Sequence, residues 1–227
     1  MHPTNNATPG APAPEPEMPK DLELPADNTP PPKLINNPIK EYLSAFGVLG
    51  TAIGVALLLI LFVFQSYQVS GPSMEQTLHD QDRLIVWKLQ RSWSRITGHQ
   101  YIPGRGDVVI FTESGLSEYG QEDTKQLIKR VIALPGERVV VKDNIITVYN
   151  KANPNGFQPD KTLPYGVNIT EPAEQSVDRT IGKDELFVCG DNRTNSLDSR
   201  FFGPIKTNQI IGKLAVRVLP LSDAEKF

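Results

Sequence analysis

Ser73 stands in the stretch Val69-Ser70-Gly71-Pro72-Ser73-Met74-Glu75-Gln76-Thr77-Leu78, where a Ser-Gly-Pro turn delivers one hydroxyl followed at once by a large apolar residue. A serine hydroxyl is a weak nucleophile until a base takes its proton. Histidine is the usual base, and His79 and His99 are the histidines downstream of Ser73. Neither lies in a motif that positions it, and the Gly-x-Ser-x-Gly elbow of the α/β-hydrolases is absent at Ser73. A lysine is the other base to consider. An ordinary lysine, with a pKa near 10.4, is neutral in only about 1 molecule in 2,500 at pH 7, so a lysine base needs burial to shed its proton. Lys129 is the lysine set in apolar sequence: in Leu127-Ile128-Lys129-Arg130-Val131-Ile132-Ala133, period-two alternation places it on one strand face with Leu127, Val131 and Ala133. Arg130 then points to the opposite face and stays charged.

Both residues also have plain structural readings. Ser73-x-x-Gln76 fits a capping box opening a short helix, and Lys129 fits an edge-strand lysine that discourages aggregation. A third polar cluster, Gly190-Asp191-Asn192-Arg193-Thr194-Asn195-Ser196-Leu197-Asp198-Ser199-Arg200, follows an apolar run. Turn chemistry accounts for part of it. Its density of charge and hydroxyls allows an Asp198–Arg200 pair and a serine that orients a lysine amine. The spacing departs from a calcium loop.

These groups need elements to hold them. From Leu43 to Phe64 the chain runs 22 residues without a charge, 14 of them Leu, Ile, Val or Phe. As a helix this spans about 33 Å, enough for a hydrocarbon core of about 30 Å. The run starts too late and lasts too long for a cleaved leader. Residues 39–64 are therefore expected to form one transmembrane signal-anchor helix. Lys33 and Lys40 precede it, and no Lys or Arg lies between Phe64 and Arg83, so the N-terminus is expected in the cytoplasm and the rest outside. Ser73 would then work within about 30 Å of the point where the chain leaves the bilayer. Residues 1–38, rich in Pro, Ala, Asn and Glu, read as a disordered cytoplasmic tail.

Beyond the anchor, 65–227 reads as one β-rich domain. Arg83–Lys88, Asp107–Thr112, Leu127–Leu134, Arg138–Val141, Ile145–Tyr149, Glu185–Cys189 and Leu214–Leu219 are short, β-branched runs bounded by turn residues. Pro135-Gly136 suits a type II turn and Lys142-Asp143-Asn144 a hairpin tip. Strands do not alternate with helices, which excludes a doubly wound parallel sheet. Residues 113–126 and 150–182 read as polar excursions, the second long enough for a small ribbon or cap. A net charge of −3 without a basic block gives no footprint for nucleic acid. A single cysteine, Cys189, excludes an intramolecular disulfide and a cysteine-built metal site.

Four blocks in order, Ser70–Leu78 (SGPSMEQTL), Arg105–Phe111 (RGDVVIF), Lys129–Glu137 (KRVIALPGE) and Gly190–Pro204 (GDNRTNSLDSRFFGP), resemble those of the bacterial type I signal peptidases, membrane-anchored Ser/Lys proteases. The resemblance implies a mainly β, antiparallel catalytic domain behind one transmembrane helix, with 150–182 in the variable part. It implies Ser73 as nucleophile, Lys129 as general base, Ser196 as hydrogen-bond partner of the lysine amine, and Asp198–Arg200 as an ion pair supporting that loop. Asp107 falls in the block that braces the core, and Met74, Leu78, Val69 and Ile128 fall around the pocket for the small residue before the cut. The implied partners are preproteins bearing signal peptides, cut after a small-x-small pattern, and the lipid bilayer; no metal or cofactor is implied. Two departures stand out: Gln76 replaces a usual proline, which should loosen the turn, and Gly71 replaces a serine found in some members. The oxyanion hole then keeps the Ser73 N–H, with its second donor near Gly71 open. A non-catalytic, membrane-anchored β-domain that binds envelope proteins is the rival reading from another class. A self-cleaving repressor shares the Ser/Lys chemistry, but the span and the lack of a DNA-binding segment oppose it.

Overall fold

The computed structural model describes residues 38–115, 124–169 and 175–227. The tail thus lies outside the described residues, as does the middle of the 113–126 excursion. The chain divides into two units, Met1–Phe46 and Gly47–Phe227. Of the first, only the opening turns of helix α1, Pro38–Phe62, are described. From Gly47 on, α1 exposes apolar side chains on every side, among them Val48, Ile53, Leu57, Leu58 and Ile60. Side chains are described without interruption only over 44–60 of this helix, and among the described residues no helix is long and apolar enough to cross a membrane.

One sheet dominates the second unit. Its strands are β1 (Phe64–Gln68), β2 (Arg83–Trp87), β3 (Val108–Glu113), β4 (Lys125–Ala133), β8 (Glu185–Cys189), β9 (Ile205–Lys206), β10 (Ile210–Leu219) and β11 (Glu225–Lys226). They lie in the order β1-β2-β10-β3-β4-β8-β9, with β11 added on β10. Every pairing is antiparallel. A smaller antiparallel sheet sets β5 (Arg138–Lys142) between β6 (Ile145–Tyr149) and β7 (Val177–Thr180). The domain is mainly antiparallel β, as the runs of β-branched residues predict.

Local chemistry explains the turns. Gly136 takes φ 81°, and the Glu137 N–H donates to the Leu134 carbonyl, as a type II turn requires. Asp143 and Asn144 both lie in the left-handed region, which gives the β5–β6 hairpin its primed turn. Several elements differ from expectation, the short β9 and β11 among them. β1 emerges at once from α1, where the apolar run absorbs Phe64. Helix α2, Leu89–Thr97, follows β2. β7 lies inside the 150–182 excursion, which also contains a helical turn at Pro159–Thr162 and a 3-10 turn at Pro164–Asn168.

Among the described residues, four apolar clusters form the core, the smallest of them Val86, Ile110 and Ile211. One joins Ile132, Val139, Ile146, Val148 and Phe187 between the two sheets. A second gathers Val109, Phe111, Val131, Val188 and Ile210. The third holds Val69, Met74, Leu78, Leu84, Val108 and Leu214. A register shift between Val131 and Ala133 in the pairing with β8 breaks the alternation of β4, so Ala133 joins Ile132 in the first cluster instead of sharing a face with Val131.

Candidate active site

The backbone that carries Ser73 is held at several points before the side chain is considered. Beyond β1 the chain stays paired: the Val69 N–H donates to the Asp82 carbonyl and the Gln81 N–H to the Val69 carbonyl. Gly71 then turns at φ 91°, a value open to glycine at little cost. The Glu75 N–H donates to the Pro72 carbonyl and the Leu78 N–H to the Met74 carbonyl. Met74 and Leu78, both fully buried, pull the turn down onto the third cluster. No helix starts at Ser73, because Gln76 sits at φ 77°. A proline, fixed near −65°, cannot occupy that conformation. Gln76 therefore goes with a different turn, not the loosened version of a proline turn that the sequence suggested.

Lys129 lies on β4 opposite Val109 of β3. Its Nζ is 2.7 Å from Ser73 Oγ and 2.9 Å from the Ile128 carbonyl oxygen. The residue is only 3% exposed. Burial lowers its pKa from 10.5 to about 8, against the opposing pull of Asp198. A neutral amine at that distance can accept the hydroxyl proton. His79 and His99 are both exposed, and the hydrogen bond to Ser73 Oγ comes from the lysine.

The 190–200 loop closes the site from the β8 end. The Asn192 N–H donates to the Ser73 carbonyl at 3.1 Å. Gly190 lies so close that a Cβ there would overlap Ser196 Oγ and the Ser73 carbonyl oxygen. Asp198 and Arg200 form the implied pair at 2.8 Å with both side chains fully buried, and Asp198 also accepts from the Gly190 N–H. Ser196 Oγ is buried beside Gly190 but has no hydrogen-bond partner among the described residues. The implied bond to the lysine amine is not formed. Nζ reaches Ser73 and its neighbour's carbonyl instead.

Asp107 acts at the loop before β3. It accepts from the Gly104 N–H at 2.9 Å and pairs with Lys213 of β10 at 2.8 Å. A cleft of about 110 Å³ opens beside the Ser73–Lys129 contact, lined by Val69, Ser73, Ile128 and Lys129 together with Tyr67 and Leu84. Val69 and Ile128 thus line a cleft beside Ser73 and Lys129. Met74 and Leu78 do not line this cleft; burial of the turn makes them its foundation. The Gly71 N–H, the neighbourhood left open for a second oxyanion donor, is taken by Asp80 Oδ1 at 2.9 Å.

Sequence reasoning missed a buried ionic layer under the loop. Arg130, set aside as facing away, grips Asp191 through two hydrogen bonds of 2.8 and 2.5 Å and lies 4.5 Å from the Tyr165 ring centroid. Arg193, fully buried, pairs with Asp160 of the excursion. The signal was the extra pair Asp191 and Arg193 in the same short loop, but their partners, Arg130 and Asp160, are too distant in sequence to read locally.

The family model described as signal peptidase, peptidase S26, matches residues 40–219. A signal peptidase I of Bacillus caldolyticus is 35% identical over 74% of this chain and 87% of its own length. One from Leptolyngbya laminosa is 33% identical over 90% of this chain and 95% of its own. A crystal structure of a signal peptidase I from Enterococcus faecalis V583 aligns with a TM-score of 0.38 at 28% identity, covering 51% of this chain and 99% of that one.

Proposed function

The chain belongs to the signal peptidase family, peptidase S26, and on that premise we propose how it works: it removes N-terminal signal peptides from exported preproteins with Ser73 as nucleophile and neutral Lys129 as general base. One observation carries the proposal, the 2.7 Å contact between Lys129 Nζ and Ser73 Oγ with the lysine buried. Burial disfavours the ammonium form, so a useful fraction of the amine is free to take a proton near neutral pH.

The reaction then divides into two halves. Ser73 Oγ attacks the scissile carbonyl carbon as its proton passes to Nζ, and the resulting ammonium gives that proton to the departing amine of the mature protein. Water enters, loses a proton to the lysine and attacks the acyl-enzyme; collapse returns the proton to Ser73 Oγ and frees the signal peptide's carboxylate. The Ser73 N–H faces the developing oxyanion. The substrate lies extended along the cleft between β1 and β4, paired as an added strand. The small cleft, with Val69, Ile128 and Leu84 as its apolar part, suits small side chains before the cut, in a small-x-small pattern. α1 anchors the enzyme in the bilayer with the N-terminus cytoplasmic and the β-domain on the extracytoplasmic face.

The test is cleavage of a preprotein in detergent, with the cut site read by mass spectrometry. Ser73→Ala and Lys129→Ala each abolish cleavage, and Lys129→Arg does the same because a guanidinium stays charged. Full activity in any of them refutes the dyad. Loss in His79→Ala alone would mark a histidine base, and stoichiometric binding without cleavage would mark the binding-domain alternative.

A further inference from the structure

Helix α2 is folded inside out for a helix on a water-soluble domain. Leu89, Trp93 and Ile96 fall at i, i+4 and i+7, on one face within an arc of about 60°. Such a stripe ordinarily packs against the core. Here it faces away: Leu89 is 40% exposed, Trp93 63% and Ile96 78%, and no residue of α2 is buried. Arg91, Ser92 and Ser94 are the partly covered residues. Ile102, 44% exposed, extends the apolar surface, and an open groove of about 670 Å³ runs between Leu89, Trp93 and Ile102.

Two further observations say what covers this face. The first is place. The Lys88 N–H donates to the Val63 carbonyl at 2.7 Å, and Ser92 Oγ donates to the Phe62 carbonyl at 3.1 Å, so the first turn of α2 is tied to the end of α1. The second is charge. From Arg83 to Arg105 the chain has five Lys or Arg and no Asp or Glu, in a protein of net charge −3. An apolar helix face with an exposed tryptophan, set among basic residues, is the composition of a helix lying in the boundary between headgroups and acyl chains.

We propose that α2 is a membrane-surface helix: Leu89, Trp93 and Ile96 enter the outer boundary of the bilayer, and the surrounding cations meet anionic headgroups. The inference rests on the reading of α1 as the anchor. It adds a second attachment beside the end of α1, from which β1 runs on to the catalytic cleft. An anchor alone leaves the domain free to swivel; a second contact fixes how the cleft meets a substrate emerging from the bilayer.

The test uses the full-length protein with Trp87→Phe, which leaves Trp93 as the one tryptophan, reconstituted into phosphatidylcholine–phosphatidylglycerol vesicles. Docking predicts a blue-shifted Trp93 emission, protected from aqueous iodide and quenched by lipids brominated high on the acyl chain, with weaker quenching when phosphatidylglycerol is left out. Quenching by iodide but not by brominated lipid overturns the proposal. Protection from iodide without lipid quenching also overturns it, since protein then covers the face, and dilution with empty lipid shows whether that protein is a second copy. An environment-sensitive fluorophore on Ile96→Cys repeats the measurement if Trp87→Phe disturbs β2, since the native Cys189 is fully buried. Flotation and alkaline extraction read the anchor separately. A protein released by alkali refutes the span, and its Trp93 response to added vesicles still decides the fate of α2.

Discussion

Raising the pH from 7 to 9 should increase kcat/KM about tenfold, because the proton that blocks the reaction sits on Lys129. Burial brings that amine from 10.5 to about 8, a displacement worth about 3 kcal/mol against the ammonium form. About one molecule in ten is then neutral at pH 7, half at pH 8 and nine in ten at pH 9; an unburied lysine would supply about one in 3,000 at pH 7. The profile should climb tenfold per pH unit on the acid side, bend near pH 8 and level off above it. The assay is cleavage of an internally quenched signal-peptide substrate in detergent, with no group in the substrate titrating between about pH 6 and 10. A bend near 6.5 would indicate an imidazole base and refute the lysine. A rise continuing past pH 10 would mean that the amine is not desolvated as the buried site requires.

Lys129→Met should be inactive yet more stable than the parent by up to about 3 kcal/mol at pH 7. Below pH 8 the folded parent carries a buried ammonium, and between about 8 and 10.5 its folded amine loses the proton before the unfolded one does. The parent therefore recovers and the gap closes; urea unfolding of both proteins across that window measures it, and a pH-independent gap would contradict the assignment. Asp198→Ala removes the buried carboxylate that pairs with the Arg200 guanidinium, which should cost about 3–5 kcal/mol and be read as a lower denaturation midpoint with loss of cleavage. Gly190→Ala drives a methyl into Ser196 and the Ser73 carbonyl; a displacement of about 1 Å at the nucleophile should lower kcat about a hundredfold, measured in single turnover with circular dichroism to verify the fold.

How much of this was legible depended on whether a residue's partner lay nearby in the chain. β4 announced itself by alternation, and Lys129 stood out as a charge on its apolar side; the register shift at Ala133 did not, because it arises from the pairing with β8. β1, with the sequence Phe-Gln-Ser-Tyr-Gln, has little strand composition of its own and exists by pairing with β2. The stripe on α2 was written at helical spacing but in too few residues to outweigh the surrounding loop signals. Asp198 and Arg200 are two apart and could be paired from sequence. Arg130 and Asp191 are 61 apart, and only the sheet brings them together. The alternative turn at Gln76 was visible as a missing proline, while its left-handed conformation was not.

Arg217 gives this architecture a direction in time. Near the end of β10, its guanidinium donates to the Thr77 carbonyl at 2.8 Å and reaches Asp82 at 3.2 Å, across 140 and 135 residues of chain. The turn that presents the nucleophile is thus locked by a segment synthesised well over a hundred residues after it. On the proposed reading of α1 as an anchor, a chain crossing the membrane would hold Ser73 near the bilayer early. It would lack the clamp on that turn until β10 arrived, and the nucleophile would be set only then.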